Sequence, residues 1–334
     1  MPEMRRNPLT GEWTLYAPER AARPTNYDAG KKQESSGFNP FLEGNESKTT
    51  PEILAVREAG SLPNTPGWQA RVIFNKYPAV DLLQAEALGD PPAANGSLFE
   101  SRAVPGCHDV IIESPKHITR FHELSLPQMK AVFGLYLDRW KLLSVEPALQ
   151  YALLFKNEGP AAGASLEHVH SQCIGLPFVP AEVKRQLQGA EDYFRKQQSN
   201  FFDDWLAAEL NEERRIIKVT DEFVVVCPYF SRFPYETWIV PRRATGHFEE
   251  ASRQQTDELA GHVHQVLNRY QQIHEGMPFN YMLQSAPFRC EANQSYRWYL
   301  QITPRISHLA GLELGSGVLV NLVLPDTAAE LLRG

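Results

Sequence analysis

The order of apolar, turn and helix-like segments predicts an α+β protein in which one strand–helix–strand–turn–strand unit is used twice. Three observations carry that prediction. Two long segments with helical spacing, residues 126–144 and 256–274, each follow a strand-like run that ends at a proline (Ser114-Pro115, Val240-Pro241). Similar words recur at a near-constant offset: Phe121-His122-Glu123-Leu124-Ser125 and Phe248-Glu249-Glu250-Ala251-Ser252 lie 127 apart, Tyr151 and Tyr281 lie 130 apart, and Gln172-Cys173-Ile174 matches Gln301-Ile302. The length, 334 residues, suits two ordinary domains better than one unbroken unit. The expected division is a first unit over 1–180, a charged helical connection over 181–215 and a second unit over 216–334.

In chain order, residues 13–16 form a short strand behind the Pro8–Gly11 turn. Residues 31–66, rich in Lys, Ser, Asn, Gly and Pro, read as a loop. Residues 69–75 form a strand that ends at Asn75-Lys76-Tyr77-Pro78, and residues 84–105 read as a second loop. A strand at 109–113 stops at Ser114-Pro115. In the first helix Met129, Val132, Phe133, Tyr136 and Leu143 recur at spacings of three and four, and Pro127 suits the first turn. Strands follow at 150–156 and 167–174, with a glycine-rich turn between them. The second unit places strands at 219–227, 235–240, 281–284 and 298–302.

Composition narrows the function. Hydrophobic residues make up 43% and charged residues 22%, as expected of a folded enzyme rather than a disordered chain. The net charge of -7 argues against a general nucleic-acid binder, while leaving room for a local phosphate pocket. No apolar run approaches the roughly 18 residues that would span a bilayer. MPEMRRNPLTGEW has no apolar core behind its arginines and does not read as a secretory signal. Cys107, Cys173, Cys227 and Cys290 form no CxxC pair, so each reads as a small buried hydrophobe in a reducing cytoplasm.

The chemistry concentrates in the stretch from Asn157 to Gln172. On a strand, His168, His170 and Gln172 would share one face. The turn before them, with Gly159, Gly163 and Ser165, can bring backbone N–H groups and a hydroxyl to an anionic oxygen. A neutral imidazole is a good nucleophile toward phosphorus near pH 7, and an amide beside it can stabilise the transition-state oxygens. A bare HxH strand more often just faces solvent; the Gly/Ser turn and the added Gln favour a site. His262 and His264 repeat the HxH spacing mid-helix, where residues two apart do not share a face, and read as surface residues.

This stretch resembles the histidine-triad superfamily in its galactose-1-phosphate uridylyltransferase branch. RRNPLTGEW with Arg20 and Arg23, Asn75-Lys76-Tyr77-Pro78-Ala79, GCHDVIIESPKH and the closing Gly311–Gly317 segment with Asn321 extend the likeness over nearly the whole chain. GCHDVIIESP, KNEGPAAGAS and HxHSQ are similar in wording to the ADP-glucose phosphorylase branch. The resemblance implies tandem histidine-triad-like units, antiparallel sheets flanked by helices, with the working site on the first. It implies a ping-pong nucleotidyl transfer from a nucleotide-diphosphate sugar, with His170 as nucleophile and His168 and Gln172 beside it. Asn157, Gly163 and Ser165 match positions at the transferred phosphoryl group. Arg20, Arg23 and Asn75 match positions near the nucleotide, and Glu313 and Asn321 lie in the segment expected at the sugar or acceptor phosphate. A homodimer is the family's habit; neither nucleic acid nor membrane is an expected partner.

The sequence departs from the family at its zinc site. His117 and His168 match two ligands, but Asn39 and Leu42 stand where the cysteine ligands belong. Two ligands rarely hold a structural zinc, so the expected site is degenerate, either empty or binding zinc only weakly, and a hydrogen-bonded cluster takes its place. No cofactor is required. Arg297-Trp298-Tyr299 aligns with His168-Val169-His170, so the second unit is expected to do no chemistry. Uridylyl transfer to a hexose 1-phosphate leads; adenylyl transfer to phosphate and a non-catalytic nucleotide-sugar binder are the alternatives.

Overall fold

The computed structural model describes residues 3–6, 13–16, 27–28, 31–32, 38–80 and 101–334, apart from 244 and 293. The first strands are β1 (Glu3–Arg6), β2 (Trp13–Tyr16), β3 (Tyr27–Asp28), β4 (Lys31–Lys32), β5 (Glu52–Arg57), β6 (Trp68–Phe74) and β7 (Ser101–Ala103). The first unit continues through β8 (Cys107–Ile112), α1 (Leu126–Ser144), β9 (Tyr151–Glu158) and β10 (His170–Leu176). Helices α2 (Ala181–Gln197) and α3 (Phe201–Glu212) connect to β11 (Ile216–Val219), β12 (Phe223–Val226), β13 (Thr237–Pro241), α4 (Arg253–Ile273), β14 (Phe279–Gln284) and β15 (Tyr299–Pro304). The chain closes with α5 (Gly311–Ser316) and α6 (Pro325–Arg333).

Ten strands form one antiparallel sheet in the order β5-β6-β8-β10-β9-β14-β15-β13-β12-β11. Read from the middle outward, the two sides carry the same strand order, and α1 occupies the place in the first side that α4 holds in the second. The α+β duplication is therefore real, but the units share a single sheet, joined where β9 pairs with β14, Asn157 opposite Asn280. Both helices start the same way: Ser125 and Ser252 accept hydrogen bonds from Gln128 N and Gln255 N.

Alternation gives the sheet two different faces. Helices α1 and α4 pack on one face, over a single core that includes Val72, Ile111, Leu154, Cys173, Val225, Ile239 and Leu300. On the other face Phe41 covers Ile73, Val110 and Ile112 in the first half. There α3 sets Phe202, Trp205 and Leu206 on Val224, Val226, Trp238 and Tyr299 in the second half.

Several expectations are corrected. Residues 31–66 are not a loop throughout: β5 pairs with β6 as an edge strand, with bulges, in a segment whose residues are all half-buried. The strand expected at 219–227 is broken: β11 ends at Val219, a turn follows in which Phe223 N donates to Thr220 Oγ1 at 3.0 Å, and β12 covers Phe223–Val226. The strand expected at 167–174 begins only at His170. His262 is buried, 3% exposed, with Nε2 3.3 Å from Glu258 and its ring on Phe223, so it is not a surface residue. Cys107, Cys173 and Cys227 are buried, and burial pushes the Cys107 and Cys227 thiols up to about 12.

Candidate active site

His170 opens β10, and the register places Gln172 opposite Val110 of β8. His170 and Gln172 line a cavity of about 330 Å³ together with Ser165, Asn75, Phe41 and Tyr77. Lys48 and Lys76 also line it, which gives this acidic protein a local positive pocket.

Hydrogen bonds set which atom of each side chain can react. The His170 Nδ1–H donates to the His168 carbonyl at 2.7 Å. The proton is thereby fixed on Nδ1 and the lone pair is carried by Nε2. His108 Nδ1 accepts from Ala79 N at 3.0 Å, so its Nε2–H donates to Gln172 Oε1 at 2.9 Å. With its oxygen held this way, Gln172 presents its NH₂ end as a donor. Asn157 is arranged alike: its Oδ1 accepts from Asn280 Nδ2 at 2.8 Å, leaving the amide NH₂ as the donor end. Asn75 Nδ2 lies 3.1 Å from His108 Nε2, and its Oδ1 accepts from Tyr77 N.

His168 sits in a bend before the strand, not on the strand face with the other two. Its Nε2–H donates to Ser114 O at 2.9 Å, and its Nδ1 accepts from Asn39 Nδ2 at 2.9 Å. Burial is the main cause that pushes its pKa down to about 4, so it is neutral at pH 7. The Phe41 ring touches both His168 and His170, at centroid distances of 5.8 and 5.5 Å.

The turn before the strand needs its glycines: Gly159 and Gly163 have φ of 84° and 80°. Three of its N–H groups are spent inside the turn rather than offered to an anion. Ala162 N and Ala164 N donate to Gly159 O, and Gly163 N donates to Pro160 O. Gly163 therefore shapes the turn, and Ser165 is the turn residue that lines the cavity.

Behind the sheet, a buried polar cluster holds β10. Lys156 Nζ donates to Glu113 Oε2 at 2.5 Å and to the His170 carbonyl at 3.0 Å. Glu113 also accepts from Tyr136 OH and Ser171 Oγ, and Tyr281 OH joins Ser171 at 3.0 Å.

The zinc test fails on the donor set. Both His168 nitrogens are committed to Ser114 and Asn39, and Asn39 offers an N–H where a ligand must offer a lone pair. His117 only stacks on His168, at 6.2 Å. Among the described residues no group of three or more His, Cys, Asp or Glu side chains is placed to hold a metal.

Other expected residues fall elsewhere. Arg20 and Arg23 lie outside the described residues. Glu313 caps its own helix start, accepting from Ala310 N at 2.9 Å, and Asn321 Nδ2 donates to Ser231 O and Phe233 O. Neither lines the His170 cavity. In the second half Arg297, at the His168 position, is fully buried and paired with Asp203, and Tyr299 stands at the His170 position, stacked on Trp238 at 4.1 Å. His108 was missed by sequence reasoning; its signal was the even-numbered face it shares with Val110 in GCHDV.

Comparison with known proteins decides the family. The N-terminal domain of galactose-1-phosphate uridyl transferase matches residues 1–180, and the C-terminal domain of the same family matches residues 186–314. The chain belongs to the galactose-1-phosphate uridylyltransferase family. It is 30% identical over 339 residues to an Arabidopsis thaliana ADP-glucose phosphorylase, covering 99% of this chain and 92% of the relative. It is 26% identical to a Thermotoga maritima galactose-1-phosphate uridylyltransferase, covering 100% and 98%. The crystal structure of an Arabidopsis thaliana ADP-glucose phosphorylase with bound ADP-glucose superposes with a TM-score of 0.77 at 29% identity, covering 100% of this chain and 98% of that one. A uridylyltransferase mutant structure gives 0.79 at 25% identity, covering 99% and 96%. Like these relatives, the chain is a nucleotidyltransferase. No helix among the described residues is long and apolar enough to cross a membrane.

Proposed function

We propose that this chain moves a nucleotidyl group from a nucleotide-diphosphate sugar to a phosphate-bearing acceptor through a covalent adduct on His170. The observation that carries the reading is the His170 Nδ1–H bond to the His168 carbonyl, which directs the Nε2 lone pair toward chemistry. Nε2 forms the N–P bond as the bond from the α-phosphorus to the bridging oxygen breaks, and that electron pair leaves with the sugar 1-phosphate. The proton stays on Nδ1, where the His168 carbonyl stabilises the positive ring. An acceptor phosphate oxygen then forms the new P–O bond, and the N–P pair returns to Nε2. The Gln172 NH₂ and the Ser165 hydroxyl donate to the non-bridging oxygens as charge builds.

Uridylyl transfer to a hexose 1-phosphate is the leading reading, supported by the family match. Adenylyl transfer to phosphate is the second, supported by the full-length likeness to an ADP-glucose phosphorylase. The chemistry runs without zinc, since the donor set does not suit it. Four unpaired thiols support a reducing cytoplasm. Exposed Leu312, Leu314, Leu322 and Leu324 on the C-terminal segment support a homodimer that covers them; sedimentation at micromolar concentration showing a monomer would remove that part.

Isotope exchange tests the mechanism. With no acceptor present, labelled glucose 1-phosphate should exchange into UDP-glucose or ADP-glucose, and His170→Ala should abolish it. Turnover without any such exchange would exclude the covalent route.

A further inference from the structure

His108 stands where two parts of the cavity wall meet. It is 3% exposed, on the same face of β8 as Val110, and the β8–β10 register sets it diagonally from Gln172. The segment from Asn75 to Ala79 closes around it. Asn75 N donates to its carbonyl at 2.8 Å, and Ala79 N donates to its Nδ1 at 3.0 Å. Asn75 and Tyr77 of that segment line the His170 cavity, and so does Gln172, the partner of the ring's Nε2. One imidazole thus joins the wall at 75–79 to the amide beside the nucleophile.

The neighbours of this ring compete over one proton, because a neutral imidazole carries a single N–H. The Ala79 N–H is a backbone donor that cannot turn round, so it needs a lone pair on Nδ1 and puts the proton on Nε2. That form donates to Gln172 Oε1 at 2.9 Å. Asn75 asks for the opposite. Its Oδ1 accepts from Tyr77 N at 2.9 Å, which turns its Nδ2 toward His108 Nε2 at 3.1 Å. Only a lone pair on Nε2 can accept that N–H. With the proton on Nδ1 instead, the Ala79 bond is lost, and Gln172 must reverse its amide to meet the Nε2 lone pair. Its oxygen then faces the cavity in place of its NH₂. Each tautomer leaves one neighbour unsatisfied, in a buried place where an unmade hydrogen bond is costly.

We propose that His108 is a positioning residue whose tautomer couples nucleotide binding to the orientation of the Gln172 amide. A nucleotide in the cavity that draws the Asn75 NH₂ onto one of its own oxygens removes the competing donor. The ring then keeps its proton on Nε2, and Gln172 keeps its oxygen on His108. Its NH₂ is thereby set toward the phosphoryl oxygens on which charge builds. Without a nucleotide the two forms compete, so the donor is set by the arrival of the nucleotide end of the substrate. His108 acts through Gln172 and not on the substrate. The assignment rests on nucleotidyl transfer at His170, but its coupling can fail separately.

Two variants separate the two nitrogens of the ring. His108→Gln places an amide N–H where Nε2 stood, and His108→Asn places an amide oxygen where Nδ1 stood. For each, calorimetry measures binding of UDP-glucose and ADP-glucose, and quenched mass spectrometry measures the single-turnover rate of adduct formation on His170. His108→Asn should bind nucleotide sugar within about threefold of wild type and lose about ten- to hundredfold in rate. His108→Gln should recover part of that rate. In a Gln172→Ala background His108→Asn should cost nothing further, as expected of a residue that acts through Gln172. A residue that only supports the fold would lose binding, rate and melting temperature together in both backgrounds, and that result overturns the proposal. Equal rates in wild type and His108→Asn overturn it too. Nitrogen NMR of protein with labelled histidine reads the tautomer directly. The His108 signals, assigned by their loss in His108→Gln, should move to the Nε2–H form when UMP or AMP is added. An unchanged tautomer overturns the coupling while nucleotidyl transfer stands. If wild type forms no adduct, nucleotidyl transfer at His170 fails, and the tautomer response to nucleotide still tests the coupling by itself.

Discussion

Asn39 shows how one substitution can reorganise a site. Its amide N–H meets His168 Nδ1, and its Oδ1 accepts from Phe41 N at 2.9 Å. Asn39→Asp would keep the second bond and set a carboxylate against the His168 lone pair. We expect kcat to fall about ten- to hundredfold, the cost of one reversed buried hydrogen bond. Steady-state kinetics checks this, and wild-type activity in Asn39→Asp would contradict it. Overnight treatment with a chelator should leave kcat and melting temperature unchanged in the wild type. Glu158 gives a pH prediction. Burial raises its pKa from 4.5 to about 7, against the opposing pull of Lys156. The folded state therefore holds a proton that the unfolded state releases, so this group's stabilisation is complete below pH 4.5 and is lost as pH rises through 7. Between those limits Glu158→Gln should gain roughly 3 kcal/mol relative to wild type, measured by denaturant unfolding at pH 4.5 and 7.5.

The strand β10 and its neighbours show which elements could be read from sequence. The helix at 126–144 was legible to the residue, because its apolar spacing and Pro127 agree. The start of β10 was not. His168 is drawn aside by Ser114 and Asn39, and Val169 N pairs with Ile118 O at 2.9 Å, so tertiary partners end the alternation early. β5 was missed because EILAVR sits between turn-rich segments at the sheet edge. His170, Gln172 and Ser165 were legible as a set; His108 was not, because its partner depends on the β8–β10 register. The cluster behind β10 carries its own prediction. Glu113→Gln would leave the Lys156 ammonium buried without its counter-ion, at a cost of about 3–5 kcal/mol. Equilibrium unfolding would reveal it, and a change under 1 kcal/mol would show that the pair does not carry the strand.

At the scale of the whole molecule, two units have become one body. Their sheets merge at β9 and β14, and α1 packs against α4 over one shared core. Separate unfolding of the halves would expose that joint, so calorimetry should show a single transition. Two well-separated transitions would mean the joint is weak. The repeated words at offsets near 129 revealed the duplication, but the merger was not legible, since edge pairing leaves no local pattern. The merger sets β9, the neighbour of the strand that carries His170, directly against β14 of the second half. The central claim is that His170 carries the nucleotidyl group. Its most direct test is intact-protein mass after mixing with UDP-glucose or ADP-glucose, without acceptor, for wild type and His170→Ala. A UMP-sized or AMP-sized adduct on wild type alone is the predicted result, and it names the base as well. Binding without any adduct, or an adduct that persists in His170→Ala, would contradict the account.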